Sequence, residues 1–135
     1  MLKMKNLFQI HNLHLSISAT IVLAIAFVYG LLPQQLLPNP FDFELISTDL
    51  ANILKAIMGL YVAFALFWLL GIYNQKYYFA ATVSNALFML GLGFGRIISC
   101  AFDGIPSPIF VLGTFGELFL GVYSCLIVLQ KQHKT

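Results

Sequence analysis

Two uncharged stretches decide the fold: AIMGLYVAFALFWLLGIYNQ at residues 56–75 and YYFAATVSNALFMLGLGFG at residues 77–95. They hold twenty and nineteen residues, and Lys76 alone separates them. An α-helix needs about 20 consecutive apolar residues to cross the hydrocarbon core of a bilayer. We therefore predict two successive transmembrane helices, at about residues 50–73 and 77–100, that are joined by a tight turn.

Two further apolar stretches predict the remaining helices. Residues 15–32 are nearly all apolar and precede Pro33, which cannot continue a helix. Pro108 suits the first position of a helix, and Ser107 before it is a candidate cap. We predict spans at about residues 13–32 and 108–129, with Thr48 or Asp49 capping the second helix. Residues 1–135 then form a single all-α membrane domain, an antiparallel four-helix transmembrane bundle.

Composition indicates that most of the surface faces lipid. Hydrophobic residues make up 60% of the chain and charged residues 9%, whereas soluble domains carry about 25% charged residues. So few charges cannot cover a soluble globule of 135 residues. The lipid bilayer is therefore the expected main partner. The net charge of +2 is too small to indicate a nucleic-acid partner.

The charged residues of the termini and loops separate by sign. In a four-pass chain the basic ones fall on one side of the membrane and the acidic ones on the other. Basic residues are enriched in cytoplasmic segments, so we expect both termini in the cytoplasm. The basic set is Lys3, Lys5, Lys76, Lys131 and Lys134, and the acidic set is Asp42, Glu44, Asp49 and Asp103.

Three charged residues interrupt the apolar spans: Lys55, Arg96 and Glu117. A charge at the centre of a membrane helix costs roughly 2.5–3.5 kcal/mol, so such residues indicate a site or a pair. At ~1.5 Å per residue they lie about 7, 6 and 13 Å below the outer helix ends. All three are therefore expected in the outer half of the bundle, where Arg96 can reach Glu117.

Small and polar residues accompany these charges at helical spacing. Gly91, Gly95 and Ser99 are four residues apart, and Glu117 is flanked by glycines at the same spacing. This pattern lets membrane helices approach closely. We therefore predict one polar cluster, which binds a ligand or is merely buried, formed by Lys55, Arg96, Glu117, Ser99, Asn52 and Asn85.

Three interpretations of this cluster stay open. In the first, Arg96 and Glu117 form a buried ion pair, helped by Lys55, that fixes the helix register. In the second, the cluster is a polar pocket, open to the outer face, for an anionic or polar head group. In the third, Glu117 relays protons, which is the weakest reading because one carboxylate without an intramembrane histidine makes a poor relay.

No residue set predicts catalysis, a cofactor or a metal site. Motifs for nucleophilic catalysis, zinc hydrolysis and nucleotide binding are absent from the sequence. His11 and His14 are three residues apart, but the sequence offers them no further metal ligands. We therefore expect a protein that is not an enzyme.

The second half of the chain, residues 49–130, resembles a mostly bacterial family of small membrane proteins catalogued as domain of unknown function 4345. The resemblance rests on Asn52-Ile-Leu-Lys-Ala-Ile-Met-Gly59-Leu-Tyr61, Gly95-Arg-Ile-Ile-Ser99, Asp103-Gly-Ile-Pro-Ser-Pro108 and Glu117-Leu118. Lys55 stands where the family tends to have arginine, which weakens any planar bidentate contact at that position. The resemblance implies a four-helix bundle and one constellation of Lys55, Arg96, Ser99 and Glu117, but no activity.

The expected function follows from these observations. We expect a small multi-pass protein of the bacterial inner membrane that binds a lipid-like or polar small ligand, or a partner, at a pocket in the outer half. One alternative is a structural or accessory subunit whose buried charges only hold the helices together. Another is a small transporter that acts as an oligomer. The partners expected besides lipid and a ligand are further copies of the chain, as a homo-oligomer, or a larger membrane complex.

Overall fold

The described part of the chain forms four long helices, as the sequence predicts. The computed structural model describes residues 12–31 and 47–132. Its helices are α1 Leu13–Leu31, α2 Thr48–Tyr73, α3 Gln75–Phe102 and α4 Pro108–Gln132, and each is long and apolar enough to cross a membrane. The predicted class, an antiparallel four-helix transmembrane bundle, is therefore confirmed. The helices end within three residues of the predicted spans.

The start of α2 differs from the prediction. Ser47 is the cap, because its side chain accepts a hydrogen bond of 3.1 Å from the backbone N–H of Leu50. Thr48 and Asp49 lie inside the helix, so their prediction as caps is wrong. A cap residue must keep an extended backbone, and Ser47 does so with φ −146° and ψ 154°.

The turn between α2 and α3 and the turn between α3 and α4 lie at opposite ends of the bundle. Asn74 ends α2 and caps α3, since its Oδ1 accepts from the N–H of Lys76 at 3.1 Å. Gly104 follows α3 with φ +101°, a conformation that favours glycine. Ser107 precedes α4, and its backbone carbonyl accepts from the N–H of Phe110 at 3.0 Å. Its Oγ has no hydrogen-bond partner among the described residues, so the predicted side-chain cap is not formed. We name the two ends of the bundle the Asn74 end and the Gly104 end.

The bundle is built from two hairpins. Helix α1 packs mainly on α2, and α4 packs mainly on α3, while α2 and α3 join the two pairs. Helices α1 and α4 touch each other only at a few positions. The bundle is therefore less closed between α1 and α4 than between the other neighbouring helices.

The core is densest towards the Asn74 end. Trp68 is fully buried, and its Nε1–H donates a hydrogen bond of 3.1 Å to Ser84 Oγ. Its ring lies 5.3 Å from that of Phe88 in an edge-to-face contact, which is a favoured aromatic geometry. Large apolar side chains on the outer helix faces are exposed, as lipid contact requires.

The glycines that the sequence places four residues apart on α3 and on α4 differ in whether they lie against a neighbouring helix. A Cβ at Gly91 or Gly95 would meet nothing within 4 Å, so the close helix approach predicted there is wrong. On the same helix it is Gly93 that lies against Leu118. On α4 a Cβ at Gly121 would lie 2.7 Å from Leu90 Cγ, which leaves no room for a side chain. The α3–α4 contact therefore depends on Gly93 and Gly121.

Candidate functional site

An ion pair links α3 to α4 near the Gly104 end. The Nε–H of Arg96 donates to both carboxylate oxygens of Glu117, at 3.1 Å to Oε1 and 2.9 Å to Oε2. The two side chains are only 20% and 10% exposed. Hydrogen bonds between ionised groups are roughly twice as strong as neutral ones. The pair therefore holds the α3–α4 hairpin and removes the cost of two isolated charges in lipid.

The guanidinium of Arg96 has further N–H groups beyond the one bonded to Glu117. Both hydrogen bonds between these two side chains use Nε alone, whereas a guanidinium carries five N–H donors. Its central carbon lies 5.1 Å from the ring centroid of Phe110, on the first turn of α4. Arginine stacks favourably on aromatic faces. Phe110 and Glu117 thus fix the direction of the guanidinium from two sides.

A cavity of about 320 Å³ lies beside this pair, mainly between α1 and α4. Its size falls within the range of about 300–1,000 Å³ that is usual for small-molecule sites. Its wall is apolar apart from the ion pair and two tyrosines. The lining residues are Ile21, Val22, Ile25, Val28, Tyr29, Tyr61, Met89, Leu92, Arg96, Ile109, Phe110, Leu112, Gly113, Gly116, Glu117 and Leu120.

The glycines of α4 account for much of this space. Gly113 and Gly116 line the cavity, and a Cβ at either position would meet nothing within 4 Å. On the rim, Leu112 is 73% exposed and Ile21 is 44% exposed. Because α1 and α4 touch only weakly, the cavity borders the bundle surface that faces lipid.

A second, more open groove runs along the other side of Arg96. It has a volume of about 560 Å³ and lies mainly between α2 and α3. Gly91 and Gly95 are part of its wall, which explains why a Cβ at either would meet only open space. The lining residues are Tyr29, Leu50, Leu54, Ile57, Tyr61, Gly91, Leu92, Gly95, Arg96 and Ser99.

The cavity and the groove share part of their walls. Tyr29 of α1, Tyr61 of α2, and Leu92 and Arg96 of α3 line both spaces. The rings of Tyr29 and Tyr61 lie 6.0 Å apart. These four side chains therefore form a partition, and Arg96 is its charged member.

The other predicted members of the cluster lie apart from the ion pair. Lys55 and Asn52 are exposed on α2 and line neither space. Ser99 is exposed at the edge of the groove, where its hydroxyl donates to Asp103 Oδ2 at 2.8 Å. Of the predicted residues, only Arg96 and Glu117 are joined by a direct contact, while Ser99 shares the groove with Arg96.

Asn85 belongs to a separate polar layer nearer the Asn74 end. Its side chain is fully buried, and its Oδ1 accepts hydrogen bonds from Ser124 at 2.8 Å and from Ser18 at 3.4 Å. These serines come from α4 and α1, so three helices meet at one amide. Such hydrogen bonds between helices contribute stability in a membrane.

Sequence reasoning missed several residues of these two regions. Tyr29, Tyr61 and Phe110 surround Arg96, but aromatic residues are so frequent in the chain that none of them stood out. His14 and Ser18 are buried on one face of α1, and their spacing of four residues was the available signal. His11 lies outside the described residues. Within the part described, no three His, Cys, Asp or Glu residues are placed to hold a metal ion.

Comparison with known proteins gives one match. The family model described as Domain of unknown function (DUF4345) matches residues 10–128. No curated protein and no solved structure matches the chain. The match extends the resemblance seen in the second half of the sequence to α1, which contributes Tyr29 to the partition. The chain therefore belongs to the DUF4345 family, and the predicted family is confirmed.

Proposed function

We propose that the protein binds an amphiphile in the cavity beside Arg96 and Glu117. The apolar part of the ligand would contact the side chains of α1 and α4, and its polar head would lie against the ion pair. A single observation carries this proposal: the Arg96–Glu117 pair stands in the wall of a cavity that is otherwise almost entirely apolar. Sites of this kind orient a ligand by a few polar groups in an apolar surround.

The chemistry of the head group follows from Arg96. Its guanidinium has N–H donors beyond the Nε–H that bonds Glu117. Carboxylate and phosphate oxygens accept such donors well. Glu117 already balances the charge of Arg96, so the head group would bind through hydrogen bonds from the guanidinium and not through net charge. An anionic head bearing a carboxylate or phosphate is therefore the favoured ligand class.

The position of the cavity favours a ligand that arrives through the membrane. It lies mainly between α1 and α4, which touch each other only at a few positions, and its rim includes the exposed Leu112 and Ile21. An amphiphile moving laterally from the bilayer would meet this rim first. A ligand of this kind would keep its chain in an apolar environment throughout.

Native mass spectrometry of the purified protein tests the proposal, with oleate as an added probe. We expect an adduct on the wild type and loss of that adduct in Gly113→Leu, because the new side chain occupies the cavity while Arg96 and Glu117 are both kept. The matched control is Gly59→Leu, another helical glycine with open space around it that lines neither the cavity nor the groove. Equal oleate retention in both variants would overturn the proposal.

The same measurement distinguishes head-group binding by Arg96 from a purely structural role of the ion pair. Arg96→Met together with Glu117→Gln leaves the apolar wall in place and removes the guanidinium donors without leaving an unpaired carboxylate beside the ligand. If the folded variant retains oleate as well as the wild type does, Arg96 serves only to hold α3 to α4. If retention falls while Gly59→Leu is unaffected, Arg96 binds the head group.

We also propose that the Asn74 end faces the cytoplasm of a bacterial cell. Lys76 is exposed at this end, and Asp103 is exposed at the other end. Basic residues favour the cytoplasmic side. The other charged residues of the termini and first loop support this orientation only through their positions in the sequence, because they lie outside the described residues: Lys3, Lys5, Lys134, Asp42 and Glu44.

Labelling of Gln75→Cys and Gly104→Cys in intact cells with a membrane-impermeant maleimide checks the proposal, after the native cysteines are replaced by serine. Reaction at position 104 alone is expected.

A further inference from the structure

Buried polar side chains continue from the Asn85 layer towards the Asn74 end. His14 of α1 is only 2% exposed, and its ring centroid lies 6.3 Å from that of Tyr78 and 5.8 Å from that of Tyr123. Thr82 of α3 is also buried and lies one turn after Tyr78. A second polar layer, drawn from the same three helices, therefore follows the Asn85 layer.

A single apolar layer separates the Asn85 layer from the cavity. It consists of one buried side chain from each of the same three helices, and all three also line the cavity. Each lies four residues from a member of the Asn85 layer, which corresponds to about 6 Å along a helix. The layer is Val22, Met89 and Leu120, paired in this spacing with Ser18, Asn85 and Ser124.

We infer that these polar side chains form a proton pathway between the Asn74 end and the cavity, closed by the layer of Val22, Met89 and Leu120. Hydrophobic constrictions close membrane pores by excluding water. On the far side of the constriction the cavity leads to Glu117 and Arg96, and Arg96 also lines the open groove that reaches the exposed Ser99 near the Gly104 end. The inference goes beyond amphiphile binding and does not depend on it.

Asn85 distinguishes a pathway from simple helix adhesion. Its Oδ1 accepts two hydrogen bonds, but its Nδ2 is buried and has no hydrogen-bond partner among the described residues. Leaving a buried donor without an acceptor destabilises the folded state. Adhesion alone would not require that donor, whereas a water molecule in a pathway would accept from it.

His14 supplies the titratable group of the two polar layers. His14 is buried at the start of α1, so an imidazole lies between the Asn74 end and the Asn85 layer. An imidazole accepts a proton at one nitrogen and releases one from the other. Hydroxyl groups and water carry the proton onward, and Glu117, held by Arg96, is the carboxylate on the cavity side. Each proton taken up at one end leaves at the other, so no bond changes over a full cycle.

Proton flux into liposomes containing the full chain tests the inference. A pH-sensitive dye inside the vesicles reports flux driven by a potassium gradient with valinomycin. We expect the wild type to be nearly closed and Leu120→Ser to raise the flux several-fold, because a hydroxyl in the apolar layer admits water. Met89→Ser is the second variant of the same layer, in case the first does not fold. The matched control is Leu126→Ser on the exposed face of α4.

Two further variants identify the route. Adding Asn85→Leu or His14→Phe to Leu120→Ser should return the flux to the level of Leu126→Ser. Each added change removes a polar group between the opened layer and the Asn74 end. If folded Leu120→Ser and Met89→Ser both give the flux of the control, the inference fails. It fails equally if Leu120→Ser conducts and neither added change lowers the flux.

Discussion

The two halves of the bundle contain similar residue types but differ in how tightly their helices pack. Near the Asn74 end, Trp68 and its aromatic neighbours fill the interior, and polar side chains lie between helices that are in contact. Near the Gly104 end, the helices leave a cavity on one side of Arg96 and a groove on the other. The closed half is filled by side chains, while the open half contains the cavity in which we propose that an amphiphile binds.

The glycines of the α3–α4 hairpin show how this difference arises. Gly93 and Gly121 lie against leucines of the neighbouring helix, whereas Gly95 and Gly113 face open space. The same residue type therefore serves close packing in one place and cavity formation in another. What differs is the direction in which the missing side chain would point.

The largest expected effect lies in the closed half. Trp68→Ala should lower the free energy of unfolding by about 4 kcal/mol, because it leaves a void in a filled core and removes the hydrogen bond to Ser84. Unfolding by SDS titration measures the loss. Leu66→Ala, on the exposed face of the same helix, is the control and should cost far less. Similar losses for the two would show that this half is not the tightly packed one.

The ion pair of the open half comes next. Glu117→Gln should cost about 3 kcal/mol, because it leaves the charge of Arg96 without its partner in a mostly buried position. Combining it with Arg96→Met should restore part of the loss, since no unpaired charge remains. The same titration measures both. Strictly additive losses would contradict a direct interaction between the two side chains.

The paired glycines provide a smaller but sharper comparison. Gly121→Ala should destabilise the protein by about 1–3 kcal/mol, because the added methyl group overlaps Leu90. Gly113→Ala should be neutral or stabilising by up to about 1 kcal/mol, because alanine favours the helix and the methyl group enters open space. Equal effects in thermal unfolding would remove the packing distinction between these positions.

The smallest effect is expected at Ser99. Its hydroxyl bonds Asp103 in an exposed position, so Ser99→Ala should change the free energy of unfolding by no more than about 0.5 kcal/mol. Thermal unfolding in detergent measures this. A loss comparable to that of Glu117→Gln would mean that Ser99 belongs energetically with the ion pair.

Much of the fold could be predicted from the sequence. Runs without charge located all four helices, and Asn74 and Gly104 lie in the short segments predicted as turns. The contact between Arg96 and Glu117 could also be predicted, because a charge in a membrane helix needs a nearby partner. Depth and the family resemblance group Lys55 with them, but neither specifies which way a side chain points around the helix.

The sequence by itself determined that the chain crosses a membrane four times, where it turns and which family it belongs to. Hydropathy along the chain is a local property, and the cost of charge in lipid makes it decisive. Only the tertiary structure decided that Asn85 meets Ser18 and Ser124, and that Gly113 opens a cavity while Gly121 closes a contact. These helices are apolar on nearly every face, and lipid resembles the core. The rotation of each helix therefore follows from packing between helices, which no pattern within one helix reveals.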